Sequence, residues 1–286
     1  MTAFQPFSID AHCKINLSLR VLGRRPDGYH ELDTVFQELE FGDRLWVEPA
    51  PEFALTTTGL PLSGMGDDEN IIVRAYELFA QSTGVAPACG VTLEKRVPVG
   101  SGLGGGSADG AAMLKVLNQI GGTGLSDDAL IELAVQLGAD VPFFIRGGVQ
   151  RGRGVGEVLE PVKLDFHHPV LLVIPPVQVS TKQAFEGLKI KLTDQRAPVT
   201  FGRLLTKADV KQLFENHFEP SVFHTYPQIG AIKSDLLRQG AWFASLSGSG
   251  STVYGVFEDR KLAEAAQFHF QWQDRKNTVV LTLPVK

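Results

Sequence analysis

Pro98-Val99-Gly100-Ser101-Gly102-Leu103-Gly104-Gly105-Gly106-Ser107-Ala108 decides how this chain is read. Five glycines fall within seven residues, from Gly100 to Gly106. Upstream, Val91 to Val97 reads as a strand. Downstream, Met113, Val116, Leu117 and Ile120 recur at i, i+3, i+4 and i+7, which predicts a helix beginning near Ser107. Glycine without a Cβ permits positive φ and lets a ligand approach the backbone. A helix start offers free N–H groups and a partial positive charge, which together suit phosphate. Ser107 adds a hydroxyl at that point, suited to a phosphate or to Mg²⁺.

Two other glycine motifs compete. Gly100, Gly102 and Gly105 match the dinucleotide fingerprint GxGxxG, but no acidic residue ends a second strand some 20 residues later, so its wider context is missing. The Walker pattern fails because no Gly-Lys-[Ser/Thr] follows. A plain flexible loop would not need a strand on one side and a helix on the other.

Outward from the loop, strands dominate the first third. Ile9 to Val21 alternates partly, with Ile15, Leu17 and Leu19 on one face. Val35 to Phe41 and Leu45 to Val47 read as two strands joined by a Gly42-Asp43 turn. Asn70 caps a predicted helix from Ile71 to about Ser82, and Ser126 caps another that ends at Gly138. Strands are expected at Val158 to Val162, Val170 to Ile174, Trp242 to Leu246, Thr252 to Phe257 and Thr278 to Leu283. Ile229, Ile232, Leu236 and Leu237 mark one amphipathic helix closed by Gly240. The class is α+β with two domains, 1–160 and 161–286.

Composition narrows the function. Hydrophobic residues at 43% and charged residues at 21% suit a globular chain with a real core. A net charge of −5 argues against a nucleic-acid partner, which selects a basic face. Cys13 and Cys89 can build neither a disulfide framework nor a zinc site alone, and no histidines pair at helical spacing. Met1 to Asp10 has no basic n-region or apolar h-region. The longest apolar run, Val170 to Val177, is broken by two prolines and falls short of the roughly 20 residues of a membrane span. The expectation is a cytoplasmic protein with a small-molecule substrate and no membrane or nucleic-acid partner. Nothing in the sequence sets its oligomeric state.

The glycine segment resembles the phosphate loop of the GHMP kinases. Ala11-His12-Cys13-Lys14-Ile15-Asn16-Leu17 is similar to that superfamily's N-terminal motif, and Leu246-Ser247-Gly248-Ser249-Gly250-Ser251 to its C-terminal glycine motif. Arg25-Pro26-Asp27-Gly28-Tyr29-His30-Glu31-Leu32 and Gly138-Ala139-Asp140-Val141-Pro142-Phe143-Phe144 resemble one branch more closely. In that branch the acceptor is a cytidine diphosphate-linked methylerythritol, on the non-mevalonate route to isoprenoid precursors. His217 and Gly110 depart from the branch's usual aspartate and alanine.

The resemblance implies ATP with Mg²⁺ as donor, and both substrates in the cleft between domains. It implies Asp140 as the base that takes the alcohol proton, although the residues alone favour a turn aspartate. Lys14 would steady Asp140 and the transferring charge; a strand lysine with its head in solvent is the competing reading. Asn70, Lys95 and the loop from Pro98 to Ala108 would bind ATP. Asn16 would bind the erythritol part and Thr181 a hydroxyl or phosphate. Tyr29 and Phe185 would stack on the base and His30 read its edge, with ordinary core as the alternative for Phe185. Gly248 and Gly250 would close the site, with Ser247 and Ser249 as donors or parts of a plain turn. No protein metal ligand is expected. Rival readings are a kinase for homoserine, mevalonate or a sugar, a silent nucleotide-binding regulator, and a dinucleotide oxidoreductase.

Overall fold

The computed structural model describes residues 4–62, 70–188 and 205–285. The chain forms two compact units, and each draws on several segments. The first takes residues 1–13, 42–99 and 104–147, and the second takes 14–41, 100–103 and 148–286. Two long strands, β1 (Phe7–Arg24) and β2 (His30–Pro49), pair with each other and contribute to both units.

In the first unit, the end of β2 pairs antiparallel with β4 (Cys89–Lys95), with Trp46 opposite Thr92. β4 pairs parallel with β3 (Ala54–Gly59). Four helices join them: α1 (Ile71–Thr83), α2 (Gly105–Gly121), α3 (Asp127–Leu137) and α4 (Val141–Arg146). Their ends follow ordinary capping chemistry. Asn70 Oδ1 accepts from Ile72 N–H at 3.0 Å, and Ser126 caps α3 through Ala129 N–H. Gly84 ends α1 at φ 71°. Helix α2 begins at Gly105, two residues before the expected Ser107, because Gly104 rather than a side chain makes the cap. Gly110 lies inside α2 against Ile71, whose Cγ1 a Cβ would meet at 2.9 Å, so the branch's usual alanine would crowd this helix pair.

The expected turn at Gly42-Asp43 does not form; β2 runs straight through both residues. Gly42 is needed for a different reason. A Cβ there would collide with the Ala11 carbonyl and lie 2.6 Å from His12 Cα, so glycine permits close passage of β1.

In the second unit, the start of β2 pairs with β5 (Val149–Gly154), which pairs with β6 (Val158–Pro161). A separate antiparallel sheet among the described residues has the order β10 (Thr278–Thr282), β7 (Val170–Ile174), β9 (Val253–Val256), β8 (Phe243–Leu246). Short helices α5 (Thr181–Glu186), α6 (Lys207–Leu213) and α7 (Glu219–Thr225) precede α8 (Pro227–Arg238) and α9 (Arg260–Gln273). Leu171, Val173, Leu236, Leu246, Phe257 and Phe270 form the centre of this unit's core. β7 is buried at all five positions, so it reads as a continuous apolar run rather than an alternating one.

Candidate active site

Strand β1 carries two faces with period two. Ile15, Leu17 and Leu19 are buried, as core residues should be. Lys14, Asn16, Ser18 and Arg20 share the other face, and they are buried as well. Lys14 is only 4% exposed. A buried ammonium needs a partner, and Lys14 Nζ donates to Asn16 Oδ1 at 2.7 Å. Its Nζ also stands 5.2 Å from the centre of the Phe36 ring. Asn16 Nδ2 donates to Thr34 Oγ1 at 2.8 Å, and that hydroxyl donates to the Ser18 carbonyl at 2.7 Å.

The first part of the glycine loop belongs to the same unit and is tied down there. Lys14 N–H donates to Leu103 O at 2.9 Å, and Thr252 N–H to Ser101 O at 3.0 Å. Ser247 Oγ donates to Gly102 O at 2.9 Å. The turn reading also holds, since Gly250 N–H donates to Ser247 O at 2.9 Å. Ser249 Oγ and Thr181 Oγ1 lie 3.0 Å apart and share a hydrogen bond. Asn216, which carried no role in the sequence reading, donates to the carbonyls of Leu246 (2.8 Å) and Gly248 (2.9 Å). It thereby fixes the start of the C-terminal glycine motif. Its neighbour His217 accepts the Val21 N–H on Nδ1 at 3.1 Å. An aspartate could accept that bond too, so the departure at 217 keeps the local bonding.

The rest of the loop belongs to the first unit. Pro98 and Val99 lead in from β4, and Val99 is 41% exposed. Gly104 sits at φ 71° and ψ 19°, a left-handed cap without a side-chain hydrogen bond. The N–H groups of the first turn of α2, at Gly105, Gly106 and Ser107, therefore lack intrahelical acceptors. A Cβ at Gly106 would meet nothing within 4 Å, so the fold itself does not require glycine there. Ser107 is half-buried and Ala108 buried.

Lys95 is 3% exposed and lies between two buried carboxylates. It donates to Asp109 Oδ2 at 2.9 Å and makes a short contact with Asp43 Oδ2. Asp43 Oδ1 also accepts the backbone N–H groups of Arg96 (2.5 Å) and Val97 (2.8 Å). Burial opposes the Lys95 charge, but the carboxylates of Asp109 and Asp43 outweigh it and hold its pKa above that of an ordinary lysine. Burial pushes the Asp109 carboxyl well up, against the pull of Lys95. The sequence reading missed Asp43 by assigning it to a turn. A charged residue inside an apolar strand was the available signal.

Asp140 occupies the residue before α4, half-buried, at φ −88° and ψ −14°. Asp140 belongs to the first unit and Lys14 to the second. Tyr29 stands 65% exposed beside the Gly28 turn. His30 stacks on Phe185, with centroids 4.5 Å apart and planes at 17°. Phe185 also meets Phe218 edge-on at 4.8 Å and packs against the unit's core. The core reading of Phe185 thus describes part of its environment, and its stacking partner here is His30. Burial first, and then the Arg24 charge, hold the His30 pKa below that of an ordinary histidine.

Among the described residues no three His, Cys, Asp or Glu side chains converge as a metal site. Mg²⁺ that arrives with a nucleotide needs few protein ligands, since phosphates and water supply most of its shell. The Ser107 hydroxyl in the first turn of α2 fits that requirement. No helix among the described residues is long and apolar enough to cross a membrane.

Comparison with known proteins gives the assignment. Residues 70–148 match the GHMP kinases N terminal domain, and 190–271 match GHMP kinases C terminal. A 4-diphosphocytidyl-2-C-methyl-D-erythritol kinase of Prosthecochloris aestuarii is 38% identical over 267 residues, covering 92% of this chain and 93% of its own. The chain belongs to the 4-diphosphocytidyl-2-C-methyl-D-erythritol kinases, within the GHMP kinases. A crystal structure of a 4-(cytidine 5'-diphospho)-2C-methyl-D-erythritol kinase is 32% identical, with a TM-score of 0.80 and coverage of 98% of this chain and 100% of its own. A homoserine kinase from Cytophaga hutchinsonii, 17% identical, shares the fold at a TM-score of 0.72 over 100% of this chain and 96% of its own. Fold alone therefore does not choose the acceptor within the GHMP kinases.

Proposed function

We propose that this chain transfers the γ-phosphoryl group of ATP to the 2-hydroxyl of 4-diphosphocytidyl-2-C-methyl-D-erythritol. The products are ADP and the 2-phosphate, on the methylerythritol phosphate route to isoprenoid precursors. Membership of a kinase family implies ATP as the donor. The acceptor oxygen forms a bond to the γ-phosphorus while the bond to the leaving ADP oxygen breaks. The hydroxyl proton passes to the Asp140 carboxylate, and Lys14 balances the negative charge of the transferring group. Phosphoryl transfer asks for little more than positioning and charge neutralisation.

ATP binding falls to the loop from Pro98 to Ala108, with the open N–H groups of α2 toward the phosphates and Mg²⁺ alongside. Asn70 and Lys95 lie on the nucleotide's side, although the Lys95 ammonium is already committed to Asp43 and Asp109. Asn16 and Thr181 bind the acceptor's polar groups. The family models fall on either side of residue 160, which supports domains of 1–160 and 161–286. We assign the reaction to the cytoplasm, which supplies ATP.

The observation that carries the acceptor is the aromatic group of Tyr29, His30 and Phe185. An exposed tyrosine next to a stacked histidine has no core to fill, but it suits a nucleobase. His30 and Phe185 touch directly, so a base reaches the Phe185 face only if His30 turns aside. Tyr29 is the open stacking face. ADP release measured with a panel of acceptors tests this reading. The cytidylyl substrate should turn over well, and its uridine analogue, methylerythritol phosphate, homoserine and mevalonate poorly. Efficient turnover of any of the last three would overturn the acceptor while leaving the GHMP kinase assignment in place.

A further inference from the structure

A chain of hydrogen bonds with one direction runs along the buried polar face of β1. Lys14 Nζ donates to Asn16 Oδ1, Asn16 Nδ2 to Thr34 Oγ1, and Thr34 Oγ1 to Ser18 O. A threonine hydroxyl has one hydrogen and two lone pairs. The Ser18 carbonyl can only accept, so it takes that hydrogen. Thr34 therefore turns lone pairs toward Asn16, and only the Nδ2 side of the amide can face them. The amide oxygen is then fixed toward the Lys14 ammonium. With the amide reversed, Nδ2 would oppose the ammonium donor and Oδ1 would oppose a lone pair. Thr34 is 1% exposed and Asn16 2%, so water does not compete for these bonds. Asn16's backbone is held too, because the buried Tyr254 hydroxyl donates to its carbonyl at 2.9 Å.

We propose that Thr34 is a positioning residue for phosphoryl transfer, fixing the Asn16 amide so that its oxygen orients the Lys14 ammonium. The inference rests on the reading of Lys14 as the charge partner. Thr34 touches neither substrate in this account and acts through Asn16. Misplacement of a reacting group by about 1 Å can cost on the order of 100-fold in rate.

The test compares Thr34→Val, which keeps the shape and removes the hydroxyl, with Thr34→Ser, which keeps the hydroxyl. Lys14→Met, Asn16→Ala and the double variant of Thr34→Val with Asn16→Ala complete the set. Steady-state kinetics with ATP and the cytidylyl acceptor, and thermal unfolding, are measured on each. Thr34→Val should lower kcat by roughly 10- to 100-fold, with the KM for ATP unchanged. Thr34→Ser should recover most of that loss. The double variant should be no slower than Asn16→Ala alone, since Thr34 acts through that amide. If Thr34→Val does not fold, Thr34→Ala takes its place, and failure of both to fold would leave Thr34 a structural role only and overturn the proposal. Normal kcat in Thr34→Val beside an inactive Lys14→Met would overturn it while sparing Lys14. An active Lys14→Met would instead remove the reading on which the proposal rests.

Discussion

Two lysines are buried to almost the same degree, Lys14 at 4% and Lys95 at 3%, and they hydrogen-bond to different kinds of group. Lys95 in the first unit sits between two carboxylates, and one of these also holds two backbone N–H groups of the chain entering the glycine loop. Its charge is spent on tying β4 to β2 and α2. Lys14 in the second unit donates to a neutral amide whose orientation is set by a further hydroxyl. An amide oxygen can orient an ammonium without itself cancelling the charge. Burial alone therefore does not say what either lysine does.

Removing the proposed chemistry gives the largest expected effect. Asp140→Asn should lower kcat by about 10²–10⁴-fold and leave ATP binding intact. Lys14→Met should lower kcat by about 10²–10³-fold, the scale of losing one electrostatic stabiliser. Both should unfold near the parent temperature. A near-normal kcat in either variant would break the contrast on the Lys14 side.

On the Lys95 side the expected loss is in stability. Lys95→Met leaves two buried carboxylates without their cation, a change that costs about 3–5 kcal/mol when a buried pair is broken. The two acids should respond unequally. Asp43→Asn weakens an acceptor of three donors, whereas Asp109, whose pKa burial raises, should tolerate Asn better. Thermal unfolding of the three variants measures this order. If Lys95→Met unfolds normally and instead raises the KM for ATP, Lys95 serves the nucleotide and the two lysines are alike.

The sequence made some of this visible and hid the rest for identifiable reasons. The strand, glycine run and helix around residue 100 were legible because glycine chemistry and helical period are local signals. The caps at Asn70 and Ser126 were legible for the same reason. The Gly42-Asp43 pair misled, because a glycine needed for close passage of another strand looks like a turn glycine until that strand is known. Leu237 was assigned to the apolar face of α8 and is 45% exposed, since it lies next to Leu236 and only one can face the core. Thr34, Asp109 and Asn216 carried no signal at all. Their roles arise from bonds to residues 14 or more positions away, such as Asp109 with Lys95 and Asn216 with Leu246.

The loop offers a smaller test of the same distinction, between what the fold needs and what a ligand needs. Gly104→Val forces a β-branched residue into left-handed backbone, at roughly 1–2 kcal/mol or more, so it disturbs the fold whether or not phosphate binds there. Gly106→Val faces open space on a helical turn. It should keep the melting temperature and raise the KM for ATP by about tenfold, equivalent to roughly 1.4 kcal/mol. Calorimetry showing unchanged nucleotide affinity in Gly106→Val would put the phosphate contacts elsewhere.

The smallest expected effect concerns pH and the second unit's aromatic group. Burial, with the Arg24 charge second, holds the His30 pKa below its ordinary value of 6.5. Near pH 7 the imidazole is then neutral and has one donor and one acceptor nitrogen, enough to read a base edge that presents both. Protonation converts the acceptor into a donor. The KM for the cytidylyl acceptor should therefore rise as the pH falls below 6.5, by a few-fold and by at most about tenfold per pH unit for one proton. The KM for ATP should stay flat over the same range. The stability effect has the same sign. A histidine with a lowered folded pKa binds its proton more readily when unfolded, so it costs nothing above about pH 6.5 and destabilises progressively as pH falls through the folded value. His168, held low by burial and by His167, titrates in the same sense, so thermal unfolding sums the two residues. Acceptor KM separates them. His30→Gln should remove its pH dependence and leave that of stability partly in place, whereas an unchanged KM profile in His30→Gln would take the base edge away from His30.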